Sequence, residues 1–152
     1  MRVTLEERFW GKVNKTETCW LWTAAKDAYG YGVFSVGYSM KLAHRVAFQL
    51  STGDLPAQLD HICHNKSCVN PNHLRATTPK QNGENRRGAK QGSTSGYRGV
   101  SFHKGSGRWQ ASVVHNKKQM HLGYFENPQE ANRAVVAKRN ELFTHNDVDR
   151  QA

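Results

Sequence analysis

The chain is poor in the features that mark secreted, membrane-spanning or disulfide-stapled proteins. No apolar run approaches the roughly 20 residues of a membrane span. The first residues, MRVTLEERFWGKV, carry no signal-peptide pattern. There are three cysteines in 152 residues, an odd number that argues against a complete disulfide framework. Together these absences lead to the expectation of an intracellular, reducing compartment. Acidic residues are also scarce. Against 12 Asp and Glu stand 22 Lys and Arg, for a net charge of +10. Such a field favours nucleic acid or an anionic membrane as partner. The length suits one ordinary domain or two small ones, and a domain below roughly 80 residues often needs a metal or a disulfide because its core buries too little.

The pattern along the chain changes near residue 90. Cys19–Ala25 is apolar and aromatic and predicts a strand. Tyr29–Val36 and Ser39–Ala43, separated by Gly37 and Tyr38, predict a hairpin. Val46, Ala47 and Leu50 lie at helical spacing with Gly53 as a stop. Asp54–Cys63 reads as extended. Thr77 or Thr78 suits an N-cap with Pro79 at the first helical position, and Gly88 or Gly92 suits the end of that helix. GAKQGSTSG, from Gly88, is small and polar and reads as a linker. Beyond it, YRGVSFHK, RWQASVVH and KQMHLGYF are strand-like segments joined by turn signals. The segment after Asn127 and Pro128 puts Ala131, Ala134, Val135, Lys138 and Leu142 on one helical face. The fold class expected is α+β, with domains at 1–90 and 91–152.

Cys63, Cys68 and His73 fall in LDHICHNKSCVNPNHL and suit a loop wrapped around a metal, and Cys19 is the remaining cysteine. A Cys3His set of Cys19, Cys63, Cys68 and His73 would bind Zn2+ tetrahedrally and close it to water, a structural site. The bland alternative makes Cys19 a buried apolar residue and the other two incidental.

With those residues committed, Asp60, His61, His64 and Asn82 remain, and of these His64 reads as a surface residue. Here LDHICHNKSCVNPNHL, followed by Asn82, resembles the HNH or ββα-metal nucleases, closest to the zinc-stapled type of phage HNH proteins and His-Cys box homing endonucleases. The upstream ERFWGKV, CWLW, GYG and AHR add to the likeness, which covers roughly Glu6 to Arg87. The resemblance implies that His61 is the general base, that Asn82 and Asp60 are ligands of a catalytic Mg2+ or other divalent cation, and that the products carry 5′-phosphate and 3′-hydroxyl ends. Asn70 is expected to pin the loop. His73 could instead serve the catalytic metal, as the corresponding residue does in zinc-free relatives. Arg45 reads equally as a phosphate contact or a solvated helix charge. Arg86 and Arg87 are candidate backbone-phosphate grips. For a phage-encoded chain the expected compartment is the cytoplasm of a bacterial host.

The segment from Ser95 to Phe143 resembles the AP2 DNA-binding domain in its YRGV, Arg108-Trp109, HLGYF and EANRAVVAK motifs. That likeness implies a three-stranded antiparallel sheet packed on one helix, with its open face in the major groove of double-stranded DNA. If Trp109, Ala111 and Val113 face the helix, strand alternation turns Arg108, Gln110 and Ser112 to the open face. Arg98 on the first strand and Gln119 and His121 on the third join them, and Lys104, Lys117 and Lys118 near turns suit phosphates. Ser101, His103 and Val114 stand where plant AP2 domains carry Arg, so base preference should differ. From Lys80 through Lys118 there are nine Lys or Arg and a single acid, Glu84. The expected whole is a homing-type DNA endonuclease. The alternatives are a catalytically inactive, zinc-containing DNA-binding regulator, and an RNA-binding protein, though no RNP-like aromatic signature is present. The sequence shows no clear dimer surface.

Overall fold

The computed structural model describes residues 2–150. These form two compact units, one ending at Pro79 and the other beginning at Lys80.

The first unit is built from short pieces. Helix α1 (Leu5–Trp10) starts with a capping box: Glu7 N–H donates to Thr4 Oγ1 at 3.2 Å, and Thr4 N–H donates to the Glu7 carboxylate at 2.8 Å. Strands β1 (Val13–Lys15) and β2 (Trp20–Trp22) pair antiparallel, as do β3 (Val33–Val36) and β4 (Ser39–Leu42) around the Gly37–Tyr38 turn. Helix α2 (Ala43–Thr52) buries Ala43, Val46 and Ala47 on one stripe. It stops at Gly53, whose φ of +76° is the left-handed cap a side chain would strain. Strand β5 (Leu59–His61) pairs antiparallel with β6 (Leu74–Ala76). A 3-10 turn at Pro71–His73 leads into β6.

The core of this unit is aromatic. Phe9, Trp22, Phe34, Ala43, Val46, Ala47 and Val69 are buried together. Phe9 meets Trp22 and Phe34 at ring-centroid distances of 5.1 Å each. Such pairs contribute about 0.5–1.5 kcal/mol each beyond burial.

The second unit is more regular. Helix α3 (Pro79–Glu84) lies at its start. Strands β7 (Val100–His103), β8 (Arg108–His115) and β9 (Lys118–Phe125) make one antiparallel sheet in that order. Helix α4 (Pro128–Leu142) follows its Asn127 cap, which accepts from Glu130 N–H at 2.9 Å. A short α5 (Asp147–Arg150) ends the described chain. Val100, Ala111, Val113, Ala131, Val135 and Phe143 form the core between sheet and helix.

Several expectations are corrected. Helix α3 ends at Glu84, ahead of Gly88 and Gly92. Gly83 weakens it, and the Arg98 guanidinium takes the carbonyls of Gly83, Glu84 and Arg86, which would otherwise seek further helical partners. Arg98 therefore precedes β7 rather than lying on it, and its donors are turned toward backbone within its own unit. On α4 the inner face carries Arg139, not Lys138. Arg139 can be buried because it pairs with Asp149 at 2.6 Å, while Lys138 pairs with Glu141 at the surface. Finally, β8 and β9 shift register between Ala111 and Ser112. The bulge is in β9 at Leu122–Gly123, facing Ala111 of β8, and Gly123 there has φ +134°.

Candidate metal centre and active site

The first unit gathers Cys19, Cys63, Cys68 and His73, with all ligand atoms within 4.8 Å of one another. The segment before β2 supplies Cys19, and the loop between β5 and β6 supplies the others. Backbone bonds fasten that loop to β2: Trp22 N–H donates to Ser67 O at 2.9 Å and Val69 N–H to Trp20 O at 2.8 Å. Asn70 pins the turn as expected, accepting from Asn72 N–H at 3.0 Å and donating to Thr18 O at 3.2 Å. The 3-10 turn then aims His73 Nδ1 at the sulfurs, 3.6 Å from Cys19 Sγ and 3.5 Å from Cys68 Sγ. Tetrahedral zinc with bonds of about 2.3 Å to sulfur and about 2.0 Å to nitrogen requires an S–N edge of about 3.5 Å. The donor set and spacing thus fit one zinc ion.

Among the protein atoms alone the sulfurs are a poor set of thiolates. A hydrogen bond with Cys68 lowers the Cys63 thiol below its ordinary range. The same bond, then burial, pushes Cys68 up to about 12. A cation in their midst removes that conflict.

Two residues from Cys63, His61 ends β5 and is buried. Its Nε2 lies 3.0 Å from the Cys68 carbonyl oxygen. A carbonyl only accepts, so Nε2 carries the proton and Nδ1 keeps the lone pair. Burial lowers the His61 pKa, with the Cys68 bond and the Asp60 charge working the other way. A neutral, fixed imidazole is what a proton acceptor needs near neutral pH. The loop that carries Cys63, Cys68 and His73 thus also orients His61, which is not in the Cys3His set.

Asp60, the β5 neighbour of His61, faces Arg75 across the β5–β6 ladder, with Arg75 Nη2 donating to its Oδ2 at 3.1 Å. Arg45 donates to the carbonyls of Pro56 and Ala57 at 2.9 and 3.2 Å, so its guanidinium braces the segment leading into β5. Sequence reasoning passed over His44. It is buried on α2, its ring 4.7 Å from that of His61, and its Nδ1 has no hydrogen-bond partner. Burial, then the charges of His61 and Arg45, hold its pKa down at about 3. The signal was the position of His44 on the α2 face that carries Ala43 and Ala47.

In the second unit Asn82 is exposed on α3, and Arg86 and Arg87 are exposed just after it. The face of the sheet away from α4 carries Arg108, Gln110 and Ser112 from β8 and Gln119 and His121 from β9. Gln110 approaches His121 at 3.3 Å, Gln119 donates to Ser112 at 3.3 Å, and Arg108 pairs with Glu126 at 3.1 Å. His103 and Tyr124 share this face, with rings 5.1 Å apart, and Tyr124 is 4.8 Å from His121. Simple alternation misses Tyr124, because the Gly123 bulge resets the phase and turns it outward. Lys104, Lys117 and Lys118 are exposed at or beside the turns.

Comparison with known proteins bears on this geometry. Residues 41–84 match the HNH endonuclease family model. The match runs from the end of β4 through α2, the ligand loop and β6 to the end of α3. Among curated proteins the chain is similar to Protein 7.7 of Escherichia phage T7, at 36% identity over 70 residues, 45% of this chain and 54% of that protein. It is also similar to Protein 2.8 of the same phage, at 33% identity over 81 residues, 51% of this chain and 56% of that protein. The chain thus spans about half the length of the curated relatives it matches. No solved structure matches it significantly. Among the described residues no helix is long and apolar enough to cross a membrane.

Proposed function

We propose that the chain is a divalent-metal-dependent DNA endonuclease whose Cys3His centre holds a structural zinc and whose general base is His61. The observation that carries this reading is the fixed tautomer of His61, with Nε2–H on the Cys68 carbonyl and Nδ1 kept as a base, inside the segment that matches the HNH endonucleases. Nδ1 would take the proton from the attacking water. Asp60 and Asn82, a carboxylate and a carboxamide, are hard oxygen donors that suit Mg2+. When bound, that ion would neutralise negative charge on the scissile phosphate and the leaving 3′ oxygen. Arg75 would orient the Asp60 carboxylate. Products with 5′-phosphate and 3′-hydroxyl ends follow from attack of water on phosphorus with loss of the 3′ oxygen.

Residues 1–90 would carry the cut, and the AP2-like sheet within 91–152 would hold duplex DNA. The excess of basic residues from Lys80 to Lys118 and the polar face of Arg108, Gln110, Ser112, Gln119 and His121 support that division. Arg86, Arg87, Lys104, Lys117 and Lys118 would contact phosphates, and Arg98 would act through the backbone it braces. A homing-type role in the cytoplasm of a phage-infected bacterium is the biological setting proposed.

Nicking of supercoiled plasmid in Mg2+, wild type against His61→Ala, tests the reading. The variant should cut at least about a hundredfold more slowly. Equal cutting by both would remove His61 from the chemistry. Absence of cutting on any duplex, a candidate target included, would leave the zinc-containing DNA-binding regulator.

A further inference from the structure

We infer that Glu84 and Arg98 are positioning residues for Asn82, bolting the short helix α3 to the second unit so that a metal ligand on it keeps its place. The functional half of this inference rests on the reading of Asn82 given above; the bolting rests on geometry.

A helix of six residues with Gly83 inside it has little stability of its own. Both its side chains and its carbonyl end need outside partners. Glu84 is 5% exposed, and its Oε2 accepts from Thr144 N–H at 2.9 Å, Thr144 Oγ1 at 3.1 Å and His145 N–H at 3.2 Å. Lys80 lies 3.8 Å from its Oε1. At the carbonyl end, Arg98 Nη2 donates to Gly83 O at 3.0 Å, and Nη1 donates to Glu84 O at 3.2 Å and Arg86 O at 3.0 Å. Two of them, from Gly83 and Glu84, are among the last carbonyls of α3, which have no partner within the helix; the third belongs to the turn that follows. Arg98 is held in turn: its own carbonyl accepts from Arg139 Nη1 at 3.1 Å, and Arg139 is locked to Asp149. A continuous polar chain therefore runs from α3 through Arg98 and Arg139 to α5.

Asn82 sits two positions before Glu84, about 200° around the helix. The buried face is anchored, and Asn82 points away from it, exposed. A ligand presented on a single short helix needs its supporting contacts to fix it within about 0.5 Å.

The test uses the full-length, zinc-loaded protein. Amide exchange across residues 81–86 is measured without divalent ions, line broadening of the same residues is followed in Mn2+, and plasmid nicking is titrated with Mg2+. In Glu84→Ala, exchange should quicken about tenfold or more. The Mn2+ and Mg2+ concentrations for half effect should rise about tenfold or more. Zinc content, and duplex affinity measured without added Mg2+ or Mn2+, should hold. Glu84→Gln, which keeps an acceptor oxygen in place, should recover most of both losses. If Glu84→Ala does not fold, Thr144→Val, which removes one of the donors, should shift both readouts the same way by less. Unchanged exchange, or faster exchange with unchanged metal dependence, overturns the inference. If wild type and His61→Ala alike fail to nick, the nuclease reading falls instead. The Mn2+ titration then decides the positioning role: weaker response in Glu84→Ala supports it, and equal response overturns it.

Discussion

The two units solve the small-domain problem by different means. Among the described residues the first has short strand pairs only, and its aromatic cluster adjoins a loop that brings together two cysteines and a histidine beside Cys19. The second has a regular sheet covered by α4, and closes its periphery with a buried ion pair and a buried carboxylate. Metal coordination can set the geometry of irregular chain, which is what a site made from loop residues needs. A continuous sheet gives a broad, even face, which is what a nucleic-acid track needs. The contrast predicts that the units respond to different perturbations.

The largest effect should come from the metal. Zinc binding to such sites is worth roughly 10–16 kcal/mol in apparent terms and is coupled to folding. Cys68→Ser, or a strong chelator, should therefore unfold the first unit and leave the second folded. Near-ultraviolet circular dichroism should lose the signal of Trp10, Trp20 and Trp22, while the amide spectrum of β7 to β9 persists. Collapse of both spectra together would erase the distinction.

Next in size is the ion pair of the second unit. Arg139 and Asp149 are 6% and 10% exposed in their side chains and joined by two short bonds. Removing one partner leaves a buried charge, and Asp149→Ala should cost about 3–5 kcal/mol. Denaturant titration should place that loss in the second unit, with zinc retention unchanged.

A smaller effect concerns pH. The His44 pKa is about 3 in the folded chain, below its ordinary 6.5. Above pH 6.5 the imidazole is neutral whether folded or not, and no stability is at stake. As pH falls from 6.5 toward 3, the unfolded chain takes up the proton and the folded one does not, so stability declines, by at most about 1.4 kcal/mol per pH unit. The difference between wild type and His44→Gln should therefore narrow from pH 7 to pH 5, a comparison in which the zinc contribution cancels. Parallel pH profiles would contradict it. Smallest of all, Lys138→Ala should change stability by no more than about 0.5 kcal/mol, because its partner Glu141 is 62% exposed.

Legibility in the sequence also differs between the units. Strand alternation and helical spacing located β7, β8, β9 and α4, because a sheet packed on a helix imposes its periods on the chain. They failed where a local event broke the period, at Gly123, and where a charge was buried beside a partner ten residues on, as with Arg139 and Asp149. In the first unit, period says little about strands of three or four residues. There the number and spacing of Cys and His pointed to the four side chains that gather as the Cys3His group. The capping box of Thr4 and Glu7 was readable but passed over, so α1 went unassigned. The tautomer of His61 was not readable at all, since it depends on a carbonyl seven residues along the chain and brought near by the fold.

The central claim is that His73 belongs to the scaffold ion while His61 stays outside its coordination, free to act as a base. Zinc-edge X-ray absorption on wild type, His61→Ala and His73→Ala tests this most directly. The account predicts three sulfurs at about 2.3 Å and one nitrogen at about 2.0 Å in the first two proteins, with the nitrogen lost in His73→Ala. Loss of the nitrogen in His61→Ala, with His73→Ala unchanged, would contradict it.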